Sequence, residues 1–443
     1  MSANAYPPVK IGLLGLGTVG GGVTRVLTRN AEEISRRAGR EIVITHAAAR
    51  NLDTTTADLA GLKLTGEALE VVDDPEVSIL VELMGGYEPA RSLVLRALAN
   101  GKHVVTANKA LIARHGNEIF AAASAAARMV GFEAAVAGGI PIIKAIREGL
   151  AGNRLAWVAG IINGTANFIL SEMRDKCRDF PEVLAEAQAL GYAEADPTFD
   201  VEGIDAAHKL TILASITFGI PLQFDQVYIE GISRITREDV AYAEQLGYRV
   251  KHLGIARRGV NGVQLRVHPT LIPQRHLLAN VNGVMNAVLV KGDAVGQSLF
   301  YGAGAGAEPT ASAVVADIID VVRTLTADPE NRVPHLAFQP DALSDLPVLP
   351  MTEVETACYL RLQAQDRPGV LADVTRILAD RAISIEAILQ KEPLPGAGDV
   401  PIILLTHEVQ EQRMNDAIAA IEALDSIRAP VTRIRLEPLD AVD

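Results

Sequence analysis

Residues 9–23 of the chain, VKIGLLGLGTVGGGV, decide the fold at its amino end. The apolar run that opens this stretch is typical of a buried strand, and the glycines Gly15, Gly17 and Gly20 follow it in the spacing GxGxxG. The spacing alone is a weak signal, but here it lies between a strand pattern and a helix pattern. In that setting Gly15 allows a tight turn, Gly17 lets the backbone approach a pyrophosphate, and Gly20 lets helix and strand pack closely. The stretch therefore predicts a dinucleotide site, with the first N–H groups of a helix directed at the phosphates.

The chain that follows alternates between strand and helix patterns. Short apolar runs recur in EIVITHAAAR (41–50), SILVELMG (78–85) and KHVVTA (102–107), with helical segments between them. This alternation predicts a parallel sheet with crossover helices. We therefore expect an α/β protein in which residues 1–135 form a Rossmann-type dinucleotide-binding domain.

The remainder of the chain divides into further parts. Residues 136–308 mix helix and strand patterns, which predicts an α+β catalytic and dimerisation domain, and the amphipathic helix over 309–328 is expected to complete the first domain. Five prolines in the segment 329–352 predict an extended, semi-rigid linker. Residues 353–443 show the order βαββαβ, which predicts a ferredoxin-like domain.

Composition excludes several classes of protein. The formal net charge is −13 and no Lys/Arg run of binding length occurs, which argues against a nucleic-acid surface. Cys177 and Cys358 lie far apart without metal-like spacing, which suits a reducing compartment. The first ten residues lack a signal-peptide pattern, and the longest uncharged stretch, 155–171, carries polar side chains that argue against a membrane span. We therefore expect a cytoplasmic protein that binds neither nucleic acid nor membrane.

Two further positions at strand ends concern the cofactor. The second strand pattern ends in Arg50, and no acid occurs before Asp53. An acid there favours NAD, whereas an arginine accommodates the 2′-phosphate of NADP, so we predict NADP with NAD as the alternative. The alternative is a surface arginine with no such role.

Thr106, Asn108 and Lys109 follow another strand at its carboxyl end, where open α/β sheets bind ligands. A lysine on a helix surface would fit Lys109 equally well.

The segment GYAEADPTFDVEGIDAAHKL (191–210) combines five carboxylates with one lysine. In a helix, Asp205 and Lys209 are four residues apart and share a face, whereas His208 points elsewhere and is expected to pack. A lysine with a pKa lowered by burial can take and return the hydroxyl proton that accompanies hydride transfer. Nearby acids can bind a substrate amine. The segment therefore predicts hydride transfer to or from an amino-bearing alcohol or aldehyde. The alternative is a surface ion pair worth about 0.3–0.5 kcal/mol.

At this point the chain resembles the homoserine dehydrogenase family in its monofunctional form. The resemblance covers about residues 9–325, and the tail segment DRPGVLADVTRIL resembles an ACT regulatory domain. It implies NAD(P)-dependent interconversion of L-homoserine and L-aspartate 4-semialdehyde, in the biosynthesis of threonine, methionine and isoleucine. The motifs that carry it, in chain order after the glycine loop, are ELMGG, TANKALIA, FEAAVAGGIPI, IINGTANFIL, LGYAEADPTFDVEGIDAAHKL and YGAGAGAEPTASAVVADI.

The resemblance also assigns roles to residues. Lys209 would donate and accept the proton, with Asp205 and Lys109 beside it in the catalytic set, and Lys109 would lie between cofactor and substrate. The residues implied for substrate binding are Gly191, Glu194, Asp200 and Asp205. The residues implied for cofactor binding are Gly15, Gly17, Thr18, Val19, Gly20, Arg50, Thr106, Lys109, Gly304 and Gly306.

A monovalent cation, expected to be Na⁺, is implied by the resemblance alone. The ligands would be the side chain of Glu133 and backbone carbonyls, at the positions Glu133, Val136, Gly138 and Ile140. Without the resemblance, the segment EAAVAGGI (133–140) would be interpreted as a glycine-rich hinge between domains.

The tail is expected to be a receptor for an amino acid, with threonine as the effector, and to be separable from catalysis. The start of the helix in DRPGVLAD (366–373) suits an α-carboxylate at Pro368, and Asp366 could meet an α-amine. The alternative is a dimerisation module without a ligand. ACT domains commonly pair side by side, so we expect a homo-oligomer.

Three other functions fit the sequence less well. A calcium site does not fit, because the acids of 191–210 lack the EF-hand spacing. A phosphorylating semialdehyde dehydrogenase needs a nucleophilic cysteine, and neither Cys177 nor Cys358 is suitably placed. A non-catalytic amino-acid sensor would not need the set Glu194, Asp205 and Lys209.

Overall fold

The computed structural model describes residues 6–50, 61–326, 334–338, 343–390 and 399–439. Within them the strands are β1 (Val9–Leu14), β2 (Ile42–Ala48), β3 (Lys63–Thr65), β4 (Ile79–Glu82), β5 (His103–Thr106), β6 (Val130–Gly131), β7 (Leu155–Ile161), β8 (Tyr228–Ile229), β9 (Tyr248–Arg258), β10 (Val263–Pro273), β11 (Met285–Gly292), β12 (Gly296–Ala303), β13 (Glu355–Gln365), β14 (Ile385–Gln390), β15 (Asp399–Thr406), β16 (Val409–Gln410) and β17 (Thr432–Leu436).

The α-helices of the same residues follow in chain order. They are α1 (Thr18–Arg29), α2 (Ala31–Ala38), α3 (Ala68–Asp73), α4 (Ala90–Ala99), α5 (Lys109–Ala125), α6 (Ile142–Lys144), α7 (Gly164–Asp175), α8 (Phe180–Ala189), α9 (Thr198–Val201), α10 (Ile204–Phe218), α11 (Arg237–Gln245), α12 (Ala307–Thr326), α13 (Val370–Ala379) and α14 (Glu411–Glu422). A π-helical turn, Ala145–Gly149, continues α6.

The amino-terminal part is a six-stranded parallel sheet in the order β3-β2-β1-β4-β5-β6. Its central strands β1 and β4 are mostly apolar, and Ile11, Leu13, Ile79 and Val81 are fully buried. The strand order reverses between β1 and β4, and in such sheets the ligand binds outside the carboxyl ends of the strands at this point. The expected Rossmann-type domain is confirmed.

Helix α12 returns from the far end of the second domain to the first sheet. Its apolar face, including Val314 and Ile318, shares one hydrophobic core with Val23 of α1 and Ile11 of β1. The helix runs over Ala307–Thr326, close to the predicted 309–328. It therefore packs as the sequence predicted.

The second sheet has the strand order β12-β11-β7-β9-β10-β17-β13-β15-β14, with β8 beside β10 and β16 beside β13. The helix α10 packs on this sheet and brings Leu210 and Leu213 into the main hydrophobic core. It begins after Gly203 and ends at Gly219, which both have a positive φ (83° and 64°). Glycine allows this conformation without steric strain, so the two residues set the limits of the helix.

The tail has the predicted order βαββαβ, formed by β13, α13, β14, β15, α14 and β17. It does not stand apart, however, because β17 pairs in parallel with β10 of the second domain. Apolar side chains of the tail, including Tyr359 and Leu405, share one core with Phe168 and Leu271. The expectation of a tail that is separable from catalysis does not fit this continuous sheet.

The described parts of the linker lie against the second domain, and residues 334–338 form a turn in which Ala337 donates its N–H to Pro334 O (2.9 Å). Leu349 donates its backbone N–H to Val263 O (2.8 Å), and Val263 donates to Pro347 O (2.8 Å). Leu336 is buried in the main core. Pro329 and Pro340 lie outside the described residues. Among the described residues, no helix is both long and apolar enough to cross a membrane.

Candidate active site

The glycine loop connects β1 to α1, and its three motif glycines serve different purposes. Gly15 has a φ of 102°, and a Cβ atom there would come within 2.8 Å of Leu83 O. A Cβ atom at Gly20 would lie 2.2 Å from Gly15 O, so this position holds helix and strand together. A Cβ atom at Gly17 would have no neighbour within 4 Å. Gly17 therefore borders open space at the start of α1, where free N–H groups can bind phosphate.

Other predicted cofactor residues surround this opening. Thr18 and Val19 form the first turn of α1. Arg50 is exposed, two residues beyond the end of β2, and Asp53 lies outside the described residues. These residues, together with Gly304 and Gly306, border the carboxyl ends of the strands of the first sheet.

The loop of Gly304 and Gly306 joins β12 to α12 and approaches the first domain from the opposite side. Gly306 has a φ of 114°, and Thr310 donates its N–H to Gly306 O (3.2 Å). A Cβ atom at Gly22 of α1 would lie only 2.4 Å from Ala307 O. The two elements are therefore in direct backbone contact.

Glu82, at the end of β4, was not singled out from the sequence. It is fully buried, and its Oε2 accepts a hydrogen bond from Thr106 Oγ1 (2.6 Å), while its Oε1 accepts from Met84 N (2.8 Å). Thr106 Oγ1 in turn accepts from Asn108 N (2.9 Å). Asn108 caps α5 through Leu111 N (3.0 Å), which begins that helix at Lys109. A charged residue inside the apolar strand of ELMGG was the available signal.

The predicted catalytic residues meet at one carboxylate, between the first and second domains. Asp205 Oδ2 accepts from Lys209 Nζ (2.7 Å), and Asp205 Oδ1 lies 3.0 Å from Lys109 Nζ. Lys209 Nζ also donates to Ile162 O at the end of β7 (2.8 Å). The structure thus brings Lys109, Asp205 and Lys209 together.

Asn163, the next residue after Ile162, was missed as a site residue. Its Nδ2 donates to Asp200 Oδ1 (2.7 Å) and to Asp205 Oδ2 (2.9 Å). Its Oδ1 accepts from Ala166 N (2.8 Å) and so caps α7. Every polar atom of this side chain is engaged, which fixes the two carboxylates relative to each other. The signal in the sequence was an asparagine at a helix start in IINGTANFIL.

The two lysines differ in their electrostatic environment. Burial lowers the pKa of Lys209, the charge of Asp205 opposes this shift, and the charge of Lys109 adds to it. The pKa of Lys109 is raised by the charge of Asp205 against the effect of burial, and its side chain is 36% exposed, compared with 11% for Lys209. Lys209 is therefore the amine that loses its proton more readily.

The carboxylates also differ. Burial alone would raise the pKa of Asp205, but the charges of Lys209 and Lys109 hold it well below its ordinary value. The pKa of Asp200 is raised by burial and by the charge of Asp205. Asp205 is therefore a fixed anion, while Asp200 is the carboxylate that takes up a proton first.

Glu194 and Gly191 lie on an exposed segment after α8. Gly191 has a φ of 75°, and the backbone is held by Gln188 Nε2, which donates to Glu194 O (3.0 Å). The charge of Glu194 contributes to the raised pKa of Lys109, which places this carboxylate within electrostatic range of the lysines. Both residues thus border the site but do not touch the Asp205–Lys209 pair.

His208 packs beside the site, as the sequence predicted. Its ring stacks on Phe224 at a centroid distance of 4.2 Å, and its Nε2 lies 3.2 Å from the hydroxyl of Tyr87. Burial lowers its pKa to about 4. The imidazole is therefore neutral near pH 7.

The positions expected for a monovalent cation lie around the buried side chain of Glu133. Glu133 is buried, and its two oxygens accept from Ile143 N (2.9 Å) and Lys144 N (2.8 Å). Burial, together with the charge of Asp317, raises its pKa to about 7. Ile140 O accepts from Ile142 N (2.7 Å).

The backbone carbonyls complete this donor set. In the part of the chain that the structure describes, no N–H donates to the carbonyls of Val136 or Gly138. A carboxylate with backbone carbonyls is a set of hard oxygen donors, which suits a hard cation, so the residues fit. The described residues contain no cluster of three or more His, Cys, Asp or Glu side chains that could hold a metal.

Comparison with family models divides the chain into three matched regions. Residues 15–133 match "Homoserine dehydrogenase, NAD binding domain", residues 141–319 match "Homoserine dehydrogenase", and residues 359–426 match "ACT domain".

Individual proteins are similar over most of the chain. A homoserine dehydrogenase of Pseudomonas aeruginosa is 67% identical, with 98% of this chain and 100% of that protein covered. The crystal structure of a homoserine dehydrogenase from Thiobacillus denitrificans has a TM-score of 0.94 at 69% identity and covers 98% and 99% of the two chains. A hyperthermophilic archaeal homoserine dehydrogenase mutant in complex with NADPH has a TM-score of 0.61 at 26% identity, over 71% and 97%.

Proposed function

The chain belongs to the homoserine dehydrogenase family, and from that premise we propose that Lys209 is the acid–base residue for the interconversion of L-homoserine and L-aspartate 4-semialdehyde. The observation that carries this proposal is the buried amine of Lys209, which donates to Asp205 Oδ2 (2.7 Å) and to Ile162 O (2.8 Å). An ammonium group has three N–H donors, so one is left for a substrate oxygen.

The reaction follows from these contacts. When bound, the nicotinamide cofactor accepts or delivers the hydride at the carbon that bears the substrate oxygen. In the oxidation direction the neutral amine of Lys209 takes the hydroxyl proton, and in the reduction direction its ammonium returns that proton to the carbonyl oxygen. Burial lowers the pKa of Lys209 and so favours its neutral amine. Asp205 orients the amine, and its negative charge stabilises the protonated form, so that Lys209 can also carry the proton. The raised pKa of Lys109 makes that lysine a weaker base at the same pH.

The amino-acid end of the substrate is assigned to the segment before α10. Its ammonium group would be held by Glu194 and Asp200, with the backbone at Gly191 close by. Asp200 is oriented by Asn163 Nδ2 at 2.7 Å, and Glu194 is exposed on the side of Lys109. Lys109 and Lys209 are already paired with Asp205. The carboxylates of Glu194 and Asp200 are therefore available to the ammonium group of the substrate.

For the cofactor we propose NADP, with NAD as a weaker alternative. The exposed guanidinium of Arg50 beyond β2 supports this choice, because it can form a charge-assisted hydrogen bond with a 2′-phosphate. The complex of the archaeal relative with NADPH is consistent with it. The phosphates would lie on the first turn of α1, and the proposed cofactor residues are Gly15, Gly17, Thr18, Val19, Gly20, Arg50, Thr106, Lys109, Gly304 and Gly306.

Further parts of the proposal concern the cation and the tail. Na⁺ would be held by the carboxylate of Glu133 and the carbonyls of Val136, Gly138 and Ile140. Threonine is the proposed effector of the ACT domain, which suits an enzyme of threonine, methionine and isoleucine biosynthesis in the cytoplasm. A homo-oligomer is supported by the edges of the second sheet, where β12 and β14 each pair on one side only within the described residues.

The decisive experiment measures absorbance at the nicotinamide band with L-homoserine and either NADP⁺ or NAD⁺. We expect homoserine-dependent reduction, faster with NADP⁺, and a rate that rises with pH as Lys209 loses its proton. An ordinary lysine has a pKa of about 10.4. Because the pKa of Lys209 in the folded protein is lowered, the rate should rise at a lower pH than that value. Lys209→Ala and Lys209→Arg should each lower kcat about a hundredfold or more, since a guanidinium keeps the charge but does not release its proton.

The control is Lys10→Ala, which removes a half-buried lysine of β1 whose Nζ pairs with Glu76 at 3.1 Å. Its activity should equal that of the wild type. A Lys209→Arg variant with the kcat and pH profile of the wild type would rule out the proposed role. A chain that binds cofactor but never turns over homoserine would point to the amino-acid sensor instead.

A further inference from the structure

Residues 83–87 follow β4 at its carboxyl end, and we call them the double-glycine loop. A Cβ atom at Gly15 would lie 2.8 Å from Leu83 O, so this loop touches the glycine loop of the first domain. Gly85 and Gly86 have φ angles of 75° and 74°, and a Cβ atom at either position would meet nothing within 4 Å. The backbone of the double-glycine loop therefore borders open space beside the position proposed for the cofactor.

The double-glycine loop is fixed to the first domain by buried side chains. Glu82 Oε1 accepts from Met84 N (2.8 Å) and from Gly85 N (3.2 Å). Asn108, at the start of α5, donates its Nδ2 to Gly86 O (2.7 Å). These three bonds hold the backbone of the loop to the ends of β4 and α5.

Tyr87, the last residue of the loop, reaches the second domain. Its hydroxyl lies 3.2 Å from His208 Nε2 and accepts from Arg114 Nε (3.1 Å). Because the hydroxyl accepts from Arg114, its own hydrogen is free for donation to His208. His208 is fully buried, and within the described residues its Nδ1 has no hydrogen-bond partner. The hydroxyl of Tyr87 is thus the one hydrogen-bond partner that the described part of the chain gives to this ring.

The ring of His208 is next to both parts of the proposed substrate site. His208 directly precedes Lys209 in α10. Its ring also stacks on Phe199 of α9 at a centroid distance of 5.4 Å, and Phe199 directly precedes Asp200. The position of the imidazole is therefore tied to the proposed proton carrier and to the proposed substrate carboxylate.

Hydride transfer requires accurate alignment of the two domains. The reacting atoms must be about 3–3.5 Å apart, and a displacement of about 1 Å costs roughly a hundredfold in rate. The cofactor is assigned to the first domain, while Lys209 belongs to the second. Lys109 and Asp205 join the domains at 3.0 Å, but both are part of the proposed chemistry. The bond of Tyr87 joins them without taking part in proton transfer.

We propose that Tyr87 is a positioning residue for hydride transfer, and that its hydroxyl, bonded to His208, holds the double-glycine loop at a fixed distance from Lys209. The inference rests on the proposed dehydrogenase activity and adds the group that aligns the cofactor with the substrate. Tyr87 does not touch the reacting atoms in this role. Loss of its hydroxyl therefore slows the hydride step and leaves the binding of homoserine and of cofactor nearly unchanged.

The first test is Tyr87→Phe, which keeps the ring and removes the hydroxyl. We expect kcat to fall about tenfold, while the KM for homoserine and the Kd for NADPH stay within about twofold of the wild type. The isotope effect on kcat with L-homoserine deuterated at C4 should be larger than in the wild type, because hydride transfer becomes the slowest step. Tyr6→Phe is the matched control, since it removes an exposed hydroxyl elsewhere in the first domain. It should equal the wild type in all four quantities.

The second test uses His208→Phe, which keeps a ring against Phe224 and removes the same bond, while the bond from Arg114 to Tyr87 stays. Because both substitutions remove one contact, kcat of the double variant should be no lower than that of the slower single variant. A measurement without turnover is the fluorescence lifetime of NADPH bound at saturation. It should shorten in Tyr87→Phe and in His208→Phe, because the nicotinamide ring is held less tightly.

Several outcomes would overturn the inference. Tyr87 has no positioning role if Tyr87→Phe keeps the kcat and isotope effect of the wild type, or if both variants keep its NADPH lifetime. A raised KM with unchanged kcat would make Tyr87 a substrate-binding residue. Losses of kcat that multiply in the double variant would show that the hydroxyl and the imidazole act separately. A chain that never turns over homoserine would remove the proposed function instead, and the NADPH lifetimes would then decide the role of Tyr87 alone.

Discussion

At the scale of single residues, the site depends on how one carboxylate is shared between two amines. Asp205 accepts from Lys209 at 2.7 Å and lies 3.0 Å from Lys109, yet the pKa of Lys209 is lowered and that of Lys109 is raised. The difference follows from burial, because Lys209 is enclosed by α10 and β7 while Lys109 borders the cleft. One anion therefore lies between an amine whose pKa is lowered and an amine whose pKa is raised, which is the arrangement that the proposed proton transfer by Lys209 requires.

Arg50 is the residue that we expect to distinguish the two cofactors. We predict that Arg50→Ala weakens NADP binding about tenfold and leaves NAD binding nearly unchanged, because only NADP carries the 2′-phosphate that a guanidinium binds. Fluorescence titration with NADPH and NADH measures both dissociation constants. Arg40→Ala serves as a control, since Arg40 donates to Pro7 O (2.8 Å) at the surface. Equal weakening of NADPH and NADH would make Arg50 a structural arginine.

Asn163 is expected to position the two carboxylates without touching the substrate. In Asn163→Ser the side-chain oxygen can still cap α7, but both amide donors are lost. The hydrogen bond from Asn163 lowers the pKa of Asp200, so its removal raises that pKa further. The acidic limb of kcat/KM for homoserine should therefore move to higher pH, and kcat/KM near pH 7 should fall about tenfold.

A purely structural role of Asn163 predicts a different result. If Asn163 only caps α7, a variant that keeps a capping oxygen should leave both the melting temperature and the pH profile in place. Asn163→Asp provides the matched comparison, because it keeps the cap and adds a third carboxylate, and its acidic limb should move further than that of Asn163→Ser. An unshifted limb in both variants would remove Asn163 from the site.

At the scale of elements, the junction of β1 and α1 contains one glycine that allows close packing, Gly20, and one at which we expect the cofactor to bind, Gly17. A Cβ atom at Gly20 would lie 2.2 Å from Gly15 O, whereas one at Gly17 would meet nothing within 4 Å. We predict that Gly20→Ala lowers the melting temperature by several degrees, because α1 must move away from β1. Gly17→Ala should melt as the wild type does but weaken NADP at least tenfold, since the methyl group takes the space of the pyrophosphate. Wild-type NADP affinity in Gly17→Ala would place the phosphates elsewhere.

The elements show which features a sequence pattern can predict. The glycine loop, the parallel strands and the pair Asp205–Lys209 were predictable, because each depends on residues within one turn or one strand. Glu82–Thr106 and Asn163–Asp200 were not, because each bond joins residues that are distant in sequence. Periodicity identifies the buried face of an element but does not specify its partner. The pairing of β17 with β10 was missed for the same reason.

At the scale of the whole molecule, the carboxylate proposed for catalysis lies where three structural units approach it. Lys109 comes from the first domain, and Asp205 and Lys209 come from the second. Arg435 of the tail donates to Glu230, and Ile232, two residues later, donates its N–H to Val201 O (2.8 Å) in the segment before Asp205. The tail is also held by Arg361, whose Nε donates to the fully buried Asp239 at 2.6 Å. An ACT domain built into the catalytic sheet in this way is a structural part of the enzyme.

The last prediction concerns removal of residues 351–443. The deletion leaves Asp239 without Arg361 and Arg266 without Glu437, which is 2.6 Å away in the intact protein, and both Asp239 and Arg266 are buried. Breaking one buried ion pair costs about 3–5 kcal/mol, a large part of the roughly 5–15 kcal/mol that stabilise a domain. The deletion also uncovers the apolar core shared with Leu271. We therefore expect an aggregated product, or a soluble one that melts more than about 10 °C below the full chain and turns over homoserine poorly. Differential scanning calorimetry and the homoserine assay measure both properties, with the full chain as reference. A truncated protein with the melting temperature and kcat of the full chain would show that the tail is separable after all.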